Sequence, residues 1–424
     1  MKPRPNRSLL AVAAAVVATT FAGAASAAQD AAPPEAQAWI DIATVSGIGM
    51  PMAGMAGNPA AALGGLFGGK SGGNNFGNSH GMAAGRWVDV TIKARANPNL
   101  DEAQLAVPER FLSPALRLKA ATNAAPAPLR DDEEIKHEEP EKPKGRMLLY
   151  WGCGNEIRPG QPKEFDMASA SIADYGKFFS ARSATQRGAH SAVGRPVWPN
   201  PDDARMVPPQ ASLVGEHAFS GKGIPEGFRF SLPPAQDLMP PLTLEQADKK
   251  GATSLSWNAI ATARGYFVSA MGVGGKEDMV MWTSSELPDT GFGLMDYQTN
   301  AAVDRWLKEK VLLPRTTTVC SVPAGVFGEH GAMLRLIAYG DELNLAQPPR
   351  PRDPKLKWEP LWAVKLRVKS VANAILGMPG QDLAAGAEQN RNARREGNRE
   401  RAGEASEAPK MPQPIELLKG IFGR

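Results

Sequence analysis

Three closely spaced methionines, Met50, Met52 and Met55, are followed by His80 and Met82, and these are the side chains of this sequence best suited to hold a metal ion. Thioethers and imidazole are soft ligands that suit Cu(I). The competing reading is that methionines give a glycine-rich stretch, here 46–85, an adaptable contact surface. Within that stretch Gly64-Gly-Leu-Phe-Gly-Gly69-Lys70-Ser71 matches a phosphate-binding loop letter by letter. The motif works only between a strand and a helix, whose first amides cradle the phosphate. Here Asn58-Pro-Ala-Ala-Ala precedes it and Gly72-Gly-Asn-Asn-Phe-Gly follows, so no nucleotide ligand is expected. For hydrolysis the candidates are His190-Ser191, His217 and His330, and none stands in a nucleophile elbow or at zinc spacing. Asp289 and Asp296 could line a cleft or serve equally as turn residues. No catalytic residue is assigned.

Cys153 and Cys320 are the only cysteines. Their pairing depends on the compartment, and the first 27 residues supply that. Lys2, Arg4 and Arg7 precede an apolar run from Leu9 to Phe21, and Ala25-Ser26-Ala27 closes it. This is the pattern of a signal peptide cleaved near Ala27, its apolar run being too short for a bilayer. Lipid attachment needs a cysteine just after the cleavage point and the first one is Cys153, so a periplasmic or secreted protein is expected. An oxidising compartment favours a Cys153–Cys320 disulfide. It also argues against ATP as a ligand. Removing the leader lowers the net charge from +4 to about +1, and nothing in that balance calls for nucleic acid.

The elements that must position these residues are read as mostly strands. Trp39–Val45 reads as a first folded segment and Arg86–Arg95 as a strand in which Val88, Val90, Ile92 and Ala94 alternate with polar residues, and the two echo each other as Trp39-Ile-Asp-Ile and Trp87-Val-Asp-Val, as adjacent strands would. Short strands bounded by Gly and Pro recur from 146 to 369, the last of them alternating Trp362, Val364, Leu366 and Val368. One amphipathic helix interrupts them. Asn300 can cap it, Val303, Trp306, Leu307 and Lys310 share a face, and Pro314 ends it, so it is expected to seal an edge of the sandwich. Residues 121–145 and the charge-mixed tail read as disordered. At the C-terminus Ile415, Leu418, Ile421 and Phe422 recur at helical spacing, a stripe suited to docking on a partner or touching a membrane surface.

The run Leu255-Ser-Trp257-Asn-Ala-Ile-Ala-Thr-Ala-Arg-Gly265-Tyr266-Phe-Val268 resembles the second and third strands of fibronectin type III domains. The resemblance spans about 255–345 and implies a seven-stranded sandwich with Trp257 in the core and Tyr266 beside it. The late tyrosine pattern is poorly met at Leu336–Tyr339, and the helix has no place in the ordinary domain.

Together these readings give a signal peptide (1–27), an N-terminal β region (28–120) and a linker (121–145). A β-sandwich region (146–370) follows, with its fibronectin-like core at about 253–345, and then a disordered tail (371–424). The expected class is mostly β, an antiparallel fibronectin- or Ig-like sandwich with one inserted helix, joined to the N-terminal region through the Cys153–Cys320 bridge. The expected function is binding a protein or envelope partner without catalysis or cofactor. A copper-handling protein and an unrecognised hydrolase are the alternatives.

Overall fold

The computed structural model describes residues 32–47, 73–120, 145–178 except 168, 182, and 188–377 except 275–277, 329–330 and 354–355. The leader, Met50, Met52, Met55, the Gly64–Ser71 motif, residues 121–144 and the C-terminal Ile415, Leu418, Ile421 and Phe422 lie outside the described residues.

In chain order the first strands are β1 (Ala36–Gly47), β2 (Gly85–Ala94), β3 (Glu102–Ala106), β4 (Ala115–Lys119), β5 (Arg146–Trp151) and β6 (Lys163–Asp166). After helix α1 (Ile172–Phe178) come β7 (Val197–Trp198), β8 (Gly215–Ser220), β9 (Arg229–Leu232), β10 (Leu244–Lys249), β11 (Ala252–Trp257), β12 (Gly265–Val273) and β13 (Met279–Thr283). Helix α2 (Asn300–Lys308) leads to β14 (Leu313–Pro314), β15 (Val319–Val322), β16 (Ala332–Tyr339), β17 (Leu343–Gln347) and β18 (Trp362–Leu376).

Two sheets face each other. A small one has the order β10-β11-β15, and a large one runs β6-β5-β13-β12-β16-β18-β1-β2-β7-β4-β3-β8-β9. Leu255, Trp257, Cys320 and Val322 of the small sheet pack on Tyr266, Val268, Trp282, Leu334 and Leu336 of the large one in a single apolar core. The Trp257 and Tyr266 rings meet edge to face at 5.6 Å. The Cys153–Cys320 disulfide, with Cα atoms 5.2 Å apart, ties the end of β5 to β15 and so staples the two sheets together. Contrary to the expectation from sequence, it does not join the N-terminal region. That junction is made by β1, which pairs with β18 in parallel from Ala36↔Trp362 to Gly47↔Asn373. The long β18 has room for this because β17 and then β16 occupy its other edge in turn.

β1 and β2 are neighbours, as their echo predicts, and the two aspartates stand opposite each other as Asp41↔Asp89. Beyond β2 the sheet curls until Phe228, just before β9, stacks on Trp362 of β18 at 4.9 Å. The sheet is mixed rather than antiparallel throughout, since β13 also pairs with β5 in parallel. β18 runs on to Leu376, past the position at which the tail was expected to begin, because Val371 and Ala372 still find buried places in the core. Helix α2 is capped by the Thr299 side chain, which accepts from the Ala302 N–H, while Asn300 turns its amide to the Glu342 carbonyl. It lies on the outer face of the large sheet, not at an edge: Val303 and Trp306 pack on Phe267, Ile337, Tyr339 and Val371.

Candidate functional site

Alternation along β1, β2 and β18 sends Ile40, Ile42, Val88, Val90, Leu366 and Val368 to the apolar core. The same alternation must send Asp41, Asp89, Arg367 and Lys369 to the other face. That outer face is covered, and all four residues are buried. Buried charges need partners, and here they form one network.

Arg367 holds Asp41 in a two-pronged pair, Nε to Oδ1 at 2.7 Å and Nη2 to Oδ2 at 2.6 Å. The same Oδ2 accepts the Ala189 amide at 2.9 Å and meets His80 Nε2 at 3.2 Å. His80 Nδ1 meets Asp296 Oδ2 at 3.0 Å, and Asp296 Oδ1 accepts from Lys369 Nζ at 2.8 Å. The Tyr297 ring lies under both cations, 4.0 Å from the Lys369 ammonium and 4.5 Å from the Arg367 guanidinium. Asp89 accepts the Gly77 and Ser79 amides at 2.9 and 3.0 Å. Segments 73–82, 188–190 and 295–298 are thereby clasped onto one sheet face.

Electrostatics follow from this packing. Burial alone would raise the Asp41 carboxyl, but the hydrogen bonds and charges of His80 and Arg367 outweigh it and hold the group below its ordinary value. Burial would likewise lower His80, yet Asp296 and Asp41 together raise it. Asp296 is held well below the usual carboxylate range, because the Lys369 and His80 charges overcome its burial. Asp89 has no cation beside it among the described residues, so burial pushes it up to about 6, only partly opposed by the hydrogen bonds of Ser79 and Gly77. Burial keeps Lys369 below its ordinary value even beside Asp296.

Chemically this is a clasp. Both nitrogens of His80 face carboxylates, so neither is turned toward a nucleophile among the described residues. His330 lies outside the described residues, and His217 and His190 make no contact with the His80 ring. His217 is buried against Phe230, its Nδ1 beside the Gly215 carbonyl, and His190 lies against Trp39. Asp289 does serve a turn, accepting the Gly291 amide at 2.8 Å, and also pairs with Arg182. Asp296, the second turn candidate, is instead a hub of the network.

Of the metal-ligand candidates, Met82 is buried and His80 is committed to the clasp. Among the described residues no group of three or more His, Cys, Asp or Glu is placed to hold a metal. A hollow of about 480 Å³ lies elsewhere, lined by residues of β3 and β4, where Lys119 pairs with Asp202.

Sequence reasoning did not find Asp41, Asp89, Arg367, Lys369 or Tyr297. A lone charge at an outward strand position reads as solvated. The signal that was present is the echo placing an aspartate at the same point of two neighbouring strands. Comparison with protein-family models, with curated proteins and with solved structures finds no match.

Proposed function

We propose that this chain is an exported, non-catalytic binding protein built on a fibronectin type III-like sandwich, with a protein or envelope component as its partner. The sandwich reading is supported by strand order. β10-β11-β15 faces β13-β12-β16-β18, seven strands in all, with Trp257 and Tyr266 in contact at the centre. Export is supported by the charged and apolar leader and by a disulfide, which persists in oxidising compartments. None of the described helices is long and apolar enough to cross a membrane.

The observation that carries the binding reading is the clasp itself. Its titratable groups are spent on one another, and their effect is to fix three surface segments on a rigid sheet, the arrangement by which binding proteins display contact loops. Val193, three residues beyond the clasped His190, is 61% exposed. The apolar C-terminal residues Ile415, Leu418, Ile421 and Phe422 offer a second contact, on protein or membrane.

In-cell crosslinking and mass spectrometry on the full-length protein tests this reading, alongside a chain stopped after Lys410. A discrete set of envelope partners is expected, reduced by the truncation. Recovery of no partner above background, or turnover of a hydrolase probe by the purified protein, overturns it.

A further inference from the structure

Past helix α2 the outer face of the large sheet changes character. Register places Arg335 of β16 between Ser269 of β12 and Asn373 of β18. One row further out Met333 stands opposite Met271 and Ile375, and Met271 stands opposite Met281. The next row brings Val273 opposite Met279, which pairs with Met147 of β5. Met147, Met167, Met271, Met279 and Met281 belong to one apolar cluster with Phe165 and Phe178. Its outer part is open: Met333 is 37% and Val273 36% exposed.

Arg335, at the inner end of this field, is only 8% exposed. Arg367 and Lys369, the other buried cations of this face, each have a carboxylate. Arg335 forms no ion pair or hydrogen bond with any described residue, and its Nε is fully enclosed. The Asn373 Oδ1 beside it is likewise enclosed and unpartnered. A buried guanidinium calls for an anion, and its planar fork matches a carboxylate. Methionine side chains adapt to apolar chains of varied shape. The same guanidinium repels a metal cation, so soft-metal binding at Met333 and Met271 is disfavoured by the residue two positions along the strand.

From these placements we infer that the Arg335 row and the methionine field form a site for a medium-chain carboxylate, the head on Arg335 and the tail along Met271, Met333, Met279 and Val273. From the Ser269 row to the Val273 row is four strand residues, about 13 Å, which suits a medium-length acyl tail. This deepens the binding reading above and rests on it.

The test uses the full-length processed protein with laurate, and with dodecanol and dodecyltrimethylammonium as uncharged and cationic counterparts. Calorimetry gives affinity, and methyl NMR of labelled methionine gives location. Saturable laurate binding is expected, with shifts at Met271, Met279 and Met333. Arg335→Met should weaken it roughly tenfold to a hundredfold, the loss of a charge-assisted hydrogen-bonded pair, and the apo protein should melt no lower, since the arginine has no ion pair or hydrogen bond to lose among the described residues. Met333→Glu, at an exposed position that leaves the fold intact, should weaken laurate and not dodecyltrimethylammonium. Equal binding of all three amphiphiles, laurate affinity unchanged by Arg335→Met, or no saturable binding overturns the site. If laurate fails while envelope crosslinks persist, only the carboxylate site falls and the binding reading stands.

Discussion

Asp41 is the residue on which most of the clasp converges, taking contacts from Arg367, His80 and the Ala189 amide. Asp41→Asn should cost about 3–5 kcal/mol, because it leaves the Arg367 guanidinium buried without a counter-charge. Urea unfolding measures this, and a loss below about 1 kcal/mol would show that the pair is not isolated from water. Gly188 is tied to the same spot, since a Cβ there would overlap the Arg367 guanidinium and the Asp41 carboxylate. His80 adds a pH dependence. Its folded-state value is raised above 6.5, so its stabilisation is complete below that pH and is lost as pH rises through the folded value. His80→Ala should therefore cost roughly 1–2 kcal/mol near pH 6 and less near pH 9, whereas a pH-independent loss would contradict a charged clasp. Asp89, raised to about 6, weakens the fold as it ionises between about pH 4 and 6. Asp41 and Asp296, held low, lose their contribution only on acidification.

At the level of elements, local chemistry was legible and distant pairing was not. The strict alternation of β18 and the apolar stripe of α2 could be read directly, because both are periodic in sequence. The pairing of two cysteines 167 residues apart was legible because no other partner exists. The parallel union of β1 with β18 was hidden, since Asp41 and Arg367 lie 326 positions apart and no local signal links them. The methionine field escaped for the same reason, its members coming from four strands and a loop. Replacing Cys153 and Cys320 with serine and alanine should lower stability by about 2–5 kcal/mol without changing strand content. Unfolding followed by circular dichroism decides it, and an unchanged midpoint would show that the core alone holds the sheets. Thr299→Ala should remove about 1 kcal/mol through the α2 cap, read by the same melt.

Across the whole molecule one continuous sheet joins the sandwich to the curled N-terminal region, so the two should not unfold separately. Trp198 sits in the curled part and Trp282 in the sandwich, and both are fully buried. Fluorescence from either, with the remaining tryptophans replaced, should give one shared midpoint, and two separated transitions would contradict the junction at β1 and β18. The fold thus serves as a rigid base for the clasped segments, and their role as a contact surface is the central claim. A photo-crosslinking residue at the exposed Asn75 of the clasped segment 73–82, or at Val193 three residues beyond segment 188–190, compared with one at the exposed Lys249 on the far sheet, tests it most directly in intact cells. Discrete adducts at Asn75 and Val193 with none at Lys249 are expected, and adducts of equal yield at all three positions, or at none, would contradict the account.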